Sequence, residues 1–137
     1  MKTDIVVTKV DYSKLNSLIL NMLDDRKSNL FELNYLNIEI KRAEKIDSRR
    51  IAPEYVTMNS VIEVTFPNQG KSKILRLVYP HDSNYQEGLV SVLSPLGCAL
   101  LGYKAGDTVS FKAPGGIQTV RIDKVLYQPE ANGIDLQ

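Results

Sequence analysis

The chain has 137 residues, 43% hydrophobic and 24% charged, the ordinary composition of a globular protein with one proper core. Seventeen basic against sixteen acidic residues leave a net charge of +1, which argues against a protein whose affinity comes chiefly from neutralising phosphates. One cysteine, Cys98, allows no internal disulfide. No apolar run approaches the ~20 residues of a membrane span. The opening M-K-T-D-I-V-V-T-K-V is too short and too charged for a secretory signal, so a soluble cytoplasmic location is expected.

The first 51 residues carry 10 Lys/Arg and 8 Asp/Glu, whereas all 8 glycines and all 6 prolines lie after residue 52. That shift places a boundary near Ala52-Pro53 and divides the chain into 1–51 and 52–137. Within the first part, Asp11 reads as the cap of a helix over 12–23, with Leu15, Leu18 and Met22 at helical spacing and Ile19 and Leu23 widening the face. Asp24 to Asn29 is a polar turn. A second helix is expected over 30–47, with Leu33, Leu36, Ile40 and Ala43 at the 3-4-3 spacing of a coiled-coil seam. Two facing seams on a short loop predict an antiparallel helical hairpin, too short to be stable alone and therefore leaning on the C-terminal part of the chain.

From Val56 the period becomes alternating. Ile62, Val64 and Phe66 share one strand face, and Leu75, Leu77 and Tyr79 share another, with Pro67-Asn68-Gln69-Gly70 as the turn between them. Leu89 to Leu93 reads as a third strand. Ser94 is then a good N-cap, with Pro95 at the first helical position of a short helix over 95–101. Gly102 stands where a left-handed residue would end that helix, and Gly106-Asp107 is a turn. Thr108–Lys112 and Ile117–Tyr127 form a hairpin across Pro114-Gly115-Gly116. The order suggests an α+β protein, a strongly bent antiparallel sheet crossed by one helix.

The run Ser94-Pro95, Leu101-Gly102, Gly106-Asp107 and Pro114-Gly115-Gly116 resembles the C-terminal domain of the Gre-type transcript-cleavage factors. Val56-Thr57-Met58-Asn59-Ser60, Leu77-Val78-Tyr79-Pro80 and Tyr127-Gln128-Pro129-Glu130 are similar to the branch formed by the regulator of nucleoside diphosphate kinase family. The resemblance covers residues 52–130 and, over 1–50, only the architecture. It implies the fold of FK506-binding prolyl isomerases for 52–137 and binding to bacterial RNA polymerase at the rim of its secondary channel. It further implies competition with Gre-type factors, and a docking contact at Leu93, Ser94, Pro95 and Leu96, matching the family's S-P region.

Asp24 and Asp25 pose the sharpest chemical question. In Gre-type factors two acidic residues at the tip of a long coiled coil hold a magnesium ion that activates water for transcript cleavage, and adjacent carboxylates are hard oxygen ligands. A helix of about 12 residues rises only ~18 Å, so this tip would stop short of the polymerase centre. Expected, therefore, is a non-cleaving regulator, not an enzyme, with Asp24 and Asp25 as a solvated turn. A cleavage factor using those two residues is the alternative.

Other chemistry is poorly supplied. Gly115-Gly116 lacks the Lys-Ser/Thr and strand-to-helix context of a P-loop, and Gly102 and Gly106 follow a helix where a dinucleotide fingerprint follows a strand. His81, the sole histidine, has Asp82 and Ser83 beside it in a turn-rich segment, which reads as a loop and not as a triad. Cys98 reads as a small buried hydrophobe. A prolyl isomerase or general protein-interaction domain remains an alternative, although Tyr12, Tyr35, Tyr55, Tyr85 and Tyr103 fall outside the strands that would line its pocket. No cofactor, metal, membrane or sequence-specific nucleic-acid partner is expected, and a monomer is.

Overall fold

The computed structural model describes residues 5–23 and 29–133. It opens with a short strand, β1 (Val6–Thr8), that runs straight into helix α1 (Lys9–Leu23). Helix α2 (Leu30–Arg42) follows and leads into strand β2 (Glu44–Ile46). Strands β1 and β2 lie parallel, Val6 opposite Glu44 and Thr8 opposite Ile46.

This corrects the expected helix ends. Helix α1 starts at Lys9, because the Thr8 hydroxyl accepts the N–H of Asp11 at 2.9 Å and so serves as the N-cap. Asp11, expected as the cap, is instead buried in the first turn. Helix α2, expected to reach 47, stops at Arg42. Ala43 turns extended, the N–H of Glu44 reaches the Ile5 carbonyl at 2.9 Å, and the backbone finds a strand partner where it would otherwise have continued a helix. Lys45 Nζ donates to the Lys41 carbonyl at 2.6 Å, satisfying one of the acceptors a helix end leaves open.

The seam follows its spacing. Leu33, Leu36, Ile40 and Ala43 are buried, as are Leu15 and Ile19 on α1, and the two helices pack against each other. Leu23 faces solvent.

The remaining strands are β3 (Val61–Phe66), β4 (Lys71–Val78), β5 (Leu89–Ser91), β6 (Thr108–Ala113) and β7 (Gly116–Tyr127), with helix α3 (Pro95–Leu100) between β5 and β6. They form one sheet in the order β5-β4-β3-β7-β6. Central β3 buries Ile62, Val64 and Phe66 and pairs antiparallel with both β4 and β7. Register shifts at Val61/Ile62 and Glu63/Val64 add local twist to that pairing. The sheet is not wholly antiparallel as expected. β5 runs parallel to β4, because residues 79–88, with two short 3-10 turns, carry the chain back alongside Arg76 before it re-enters the sheet in the same direction. The third strand also ends at Ser91, short of Leu93, and Tyr79 lies just beyond β4.

The β6–β7 hairpin closes across Pro114-Gly115, with Ala113 opposite Gly116. Buried side chains from Ile5 to Ile122 form one continuous cluster, drawing on β1, α1, α2, the sheet and α3. Gly102 permits a close approach of the segment after α3 to the first strand. Its φ is +86°, its carbonyl accepts the Val6 N–H at 3.1 Å, and a Cβ there would lie 2.8 Å from the Ile5 Cβ. No helix among the described residues is long and apolar enough to cross a membrane.

Candidate functional site

Helix α3 starts as its sequence dictates. The Ser94 hydroxyl accepts the Gly97 N–H at 3.1 Å and donates to the Ser91 carbonyl at 2.7 Å, while Pro95 takes the first helical position. Gly97 lets that turn lie against the end of β5, since a Cβ on it would sit 1.9 Å from the Ser91 carbonyl oxygen. Leu93 is largely buried just before the cap, its N–H held by the Ser91 hydroxyl at 3.1 Å.

Leu93 and Pro95 then line a groove of about 350 Å³ together with Asn29, Phe31, Glu32 and Tyr35 of the start of α2 and Lys112 and Pro114 of the β6–β7 hairpin. Asn29 caps α2, its Oδ1 accepting the N–H groups of Phe31 at 2.9 Å and Glu32 at 3.2 Å. That cap fixes the first turn and leaves Phe31 on the surface, 74% exposed, beside Leu30 at 58%. Burial raises the pKa of both Glu32 and Tyr35.

Of the four residues expected to dock, the groove takes Leu93 and Pro95. Ser94 is occupied by capping, and Leu96 lines a separate depression with Phe66, Leu75 and Tyr85. Asp24 and Asp25 lie outside the described residues. Phe31 and Lys112 escaped the sequence reading. The polar turn before Leu30-Phe31 is a local sign of an apolar pair at a helix mouth, but nothing local places Lys112 beside it.

The three segments that carried the narrower resemblance meet at one buried polar cluster. Asp11 Oδ2 accepts the Met58 N–H at 3.0 Å, Thr57 Oγ1 donates to Glu130 at 2.7 Å, and the Ser60 hydroxyl accepts the Thr57 N–H at 2.9 Å. Gln128 Nε2 donates to the carbonyls of Ala52 and Tyr55 at 2.8 and 2.9 Å. Burial pushes the Asp11 carboxyl up to about 7; the Met58 N–H opposes that shift, Glu130 adds to it, and Lys14 opposes it. Tyr79 lies near both carboxylates, its hydroxyl buried and without a hydrogen-bond partner among the described residues, and its pKa is raised first by burial, then by Asp11 and Glu130. This cluster ties α1 to the loop before β3 and to the segment after β7. Apart from the Tyr79 hydroxyl and Gln128 Oε1, its hydrogen-bonding groups are engaged with one another and with backbone, which suits a clamp better than a reacting centre.

His81 and Asp82 sit together at 3.3 Å in an exposed 3-10 turn. Cys98 is buried in α3, as its apolar neighbours suggested. Among the described residues no three His, Cys, Asp or Glu side chains cluster to hold a metal.

Residues 52–127 match the family described as transcription elongation factor, GreA/GreB, C-terminal. The regulator of nucleoside diphosphate kinase of Escherichia coli (strain K12) is 38% identical over 102 residues, 72% of this chain and 73% of that protein. Transcription elongation factor GreA of Bartonella tribocorum is 30% identical over 95 residues, 69% of this chain and 60% of that protein. Among solved structures, the GreA/GreB transcription elongation factor from Nitrosomonas europaea superposes with a TM-score of 0.72 at 33% identity, covering 92% of this chain and all of that one.

Proposed function

Because the chain belongs to the GreA/GreB C-terminal family, we propose that it is a cytoplasmic transcription regulator that binds bacterial RNA polymerase at the rim of the secondary channel and excludes Gre-type factors without cleaving RNA. On this reading residues 1–51 form a short antiparallel hairpin and residues 52–137 an FK506-binding-protein-like docking domain, acting as a monomer. The observation that carries it is the groove at the start of α3. Leu93 and Pro95, at the position of the family's S-P region, open onto the exposed Phe31, so that one apolar surface spans both parts of the chain. An apolar anchor in a pocket with a charged rim, here Lys112 and Glu32, is the usual anatomy of a protein–protein contact.

Non-cleavage is supported by length. Helix α1 has 15 residues and α2 has 13, which at 1.5 Å per residue rise only about 20 Å. On this reading, helices of that length stop Asp24 and Asp25 well short of the polymerase active centre.

The test is a backtracked elongation complex mixed with the purified chain, then challenged with a GreA protein. Retention of full-length RNA together with a concentration-dependent block of GreA-stimulated cleavage is expected. Shortening of the transcript by this chain alone would replace the reading with that of a cleavage factor, and absence of any polymerase binding would remove it.

A further inference from the structure

A second cleft shares no residue with the groove, and its chemistry is wholly different. It encloses about 720 Å³ and is lined by Lys9, Lys45, Ile46, Asp47, Arg49 and Arg50. Four of the six are cations and one is an acid. The rest of the chain holds thirteen basic and fifteen acidic residues, so positive charge is gathered here on a protein that is elsewhere slightly acidic.

Topology assembles it. The parallel pairing of β1 with β2 sets Thr8 opposite Ile46, so Lys9, the next residue and the first of α1, comes level with Asp47. Lys45 is held in place by its bond to the Lys41 carbonyl at 2.6 Å and by the Tyr12 ring, 4.9 Å from its ammonium. The turn after β2 is closed on itself. Asp47 Oδ1 accepts the Arg49 N–H at 2.9 Å, and the Arg50 N–H donates to the Asp47 carbonyl at 2.8 Å.

The one carboxylate in the cleft is already neutralised. Arg49 forks onto Asp47 through Nε at 3.2 Å and Nη2 at 3.1 Å, and these bonds, with the Arg49 N–H, hold the Asp47 carboxyl down at about 2. Asp47 is therefore ionised and paired at any physiological pH. The side chains of Lys9 and Arg50 form no hydrogen bond or close ion pair with another described residue, and both are exposed. Their side chains line the cleft with Lys45, and among the described residues only the Asp47 carboxylate, already forked by Arg49, offsets that charge there.

We infer that this cleft binds a compact polyphosphate, an anion with several phosphate oxygens within a few ångströms of one another. A guanidinium presents paired donors that match a phosphate, and two ammonium groups beside it add charge without demanding one geometry. A volume of this size accommodates a nucleoside polyphosphate or inorganic polyphosphate, and the positive end of the α1 dipole at Lys9 adds to the field. The inference is independent of polymerase binding and stands or falls without it.

The test titrates the full chain with inorganic tripolyphosphate in magnesium-free buffer, following backbone amide shifts and heat of binding. Saturable binding is expected, with shifts centred on Lys9 and residues 45–50, weakening as salt rises. Arg50→Gln should weaken it about tenfold, Lys9→Gln with Arg50→Gln should abolish it, and Lys124→Gln, outside the cleft, should leave it unchanged. Should the Arg50→Gln chain fold poorly, Arg50→Lys keeps the charge and loses only the fork, and intermediate affinity is expected. Adenosine triphosphate binding as tightly as tripolyphosphate, or tighter, supports the inference and tells whether a nucleoside is also read. No saturable binding, an equal loss on Lys124→Gln, or binding of a hexaglutamate peptide or an RNA oligonucleotide in the absence of tripolyphosphate binding overturns it.

Discussion

The carboxylate of Asp11, in the first turn of α1, accepts the backbone N–H of Met58, 47 residues away, at 3.0 Å. The bond is buried, and it joins the N-terminal helices to the loop that leads into the central strand. An ionised carboxylate is costly to bury even when it accepts such a bond, and here the cost is visible as a proton held up to about pH 7.

That raised pKa sets a sign for stability. Unfolded, Asp11 titrates near 3.8; folded, near 7, so between these values the native state holds the proton more tightly. The stabilisation is complete below the unfolded value and is lost as pH rises through the folded one. Asp11→Asn retains an oxygen to accept the Met58 N–H and removes the titration. It should match the parent near pH 4 and exceed it at pH 8 by ~2–4 kcal/mol, read as unfolding midpoints across that range. A variant less stable than the parent at pH 8 would show that the charge itself is needed.

Gly97 and Gly115 make a paired test of packing. Gly97→Ala drives a Cβ into the Ser91 carbonyl and should cost ~3 kcal/mol or more, because backbone must move to relieve it. Gly115 has open space around its Cβ position, and Gly115→Ala should stay within ~0.5 kcal/mol. Denaturant titration of both variants checks this, and similar losses in the two would contradict the close approach of α3 to β5.

Leu36 and Ile38 are two residues apart on α2 and face opposite environments, 0% and 61% exposed. Leu36→Ala should destabilise by ~2–5 kcal/mol, whereas Ile38→Ala should cost ~0.5 kcal/mol or less. Equal effects would mean that the seam faces elsewhere.

A polymerase competition assay separates the proposed docking role of the groove from a role for Asp24 and Asp25. Phe31→Ala removes an exposed anchor and should leave the fold intact while weakening binding by about 1–2 kcal/mol, roughly tenfold. Pro95→Ala should fold and bind less well. Asparagine at both Asp24 and Asp25 should compete with a GreA protein as the parent does. If the asparagine pair abolishes activity and Pro95→Ala changes nothing, occupancy of the rim is not the mechanism.

Much of this was legible locally. Ser94-Pro95 opens a helix wherever it stands, because the hydroxyl cap and the fixed proline φ are properties of two residues. Pro114-Gly115 closes a hairpin for the same kind of reason, and Leu33, Leu36 and Ile40 declare a buried face through spacing alone. The Ser94-Pro95 and Pro114-Gly115 signals also belong to the stretch that carried the family, whereas the helical spacing before residue 52 does not. The reach of local signals ends where a partner distant in sequence decides. Glu44–Ile46 continues a helical pattern, yet becomes a strand because Val6–Thr8 lies ready to pair with it. Asp11 has the chemistry of a cap, and Thr8 takes that role because β1 fixes where the helix begins. Leu89–Ser91 reads as a strand in either direction, and only the path of residues 79–88 makes it parallel to β4. The two clefts are likewise tertiary. Leu93 meets Phe31 across 62 positions and Lys9 meets Arg50 across 41, distances over which composition and period say nothing and packing alone brings side chains together.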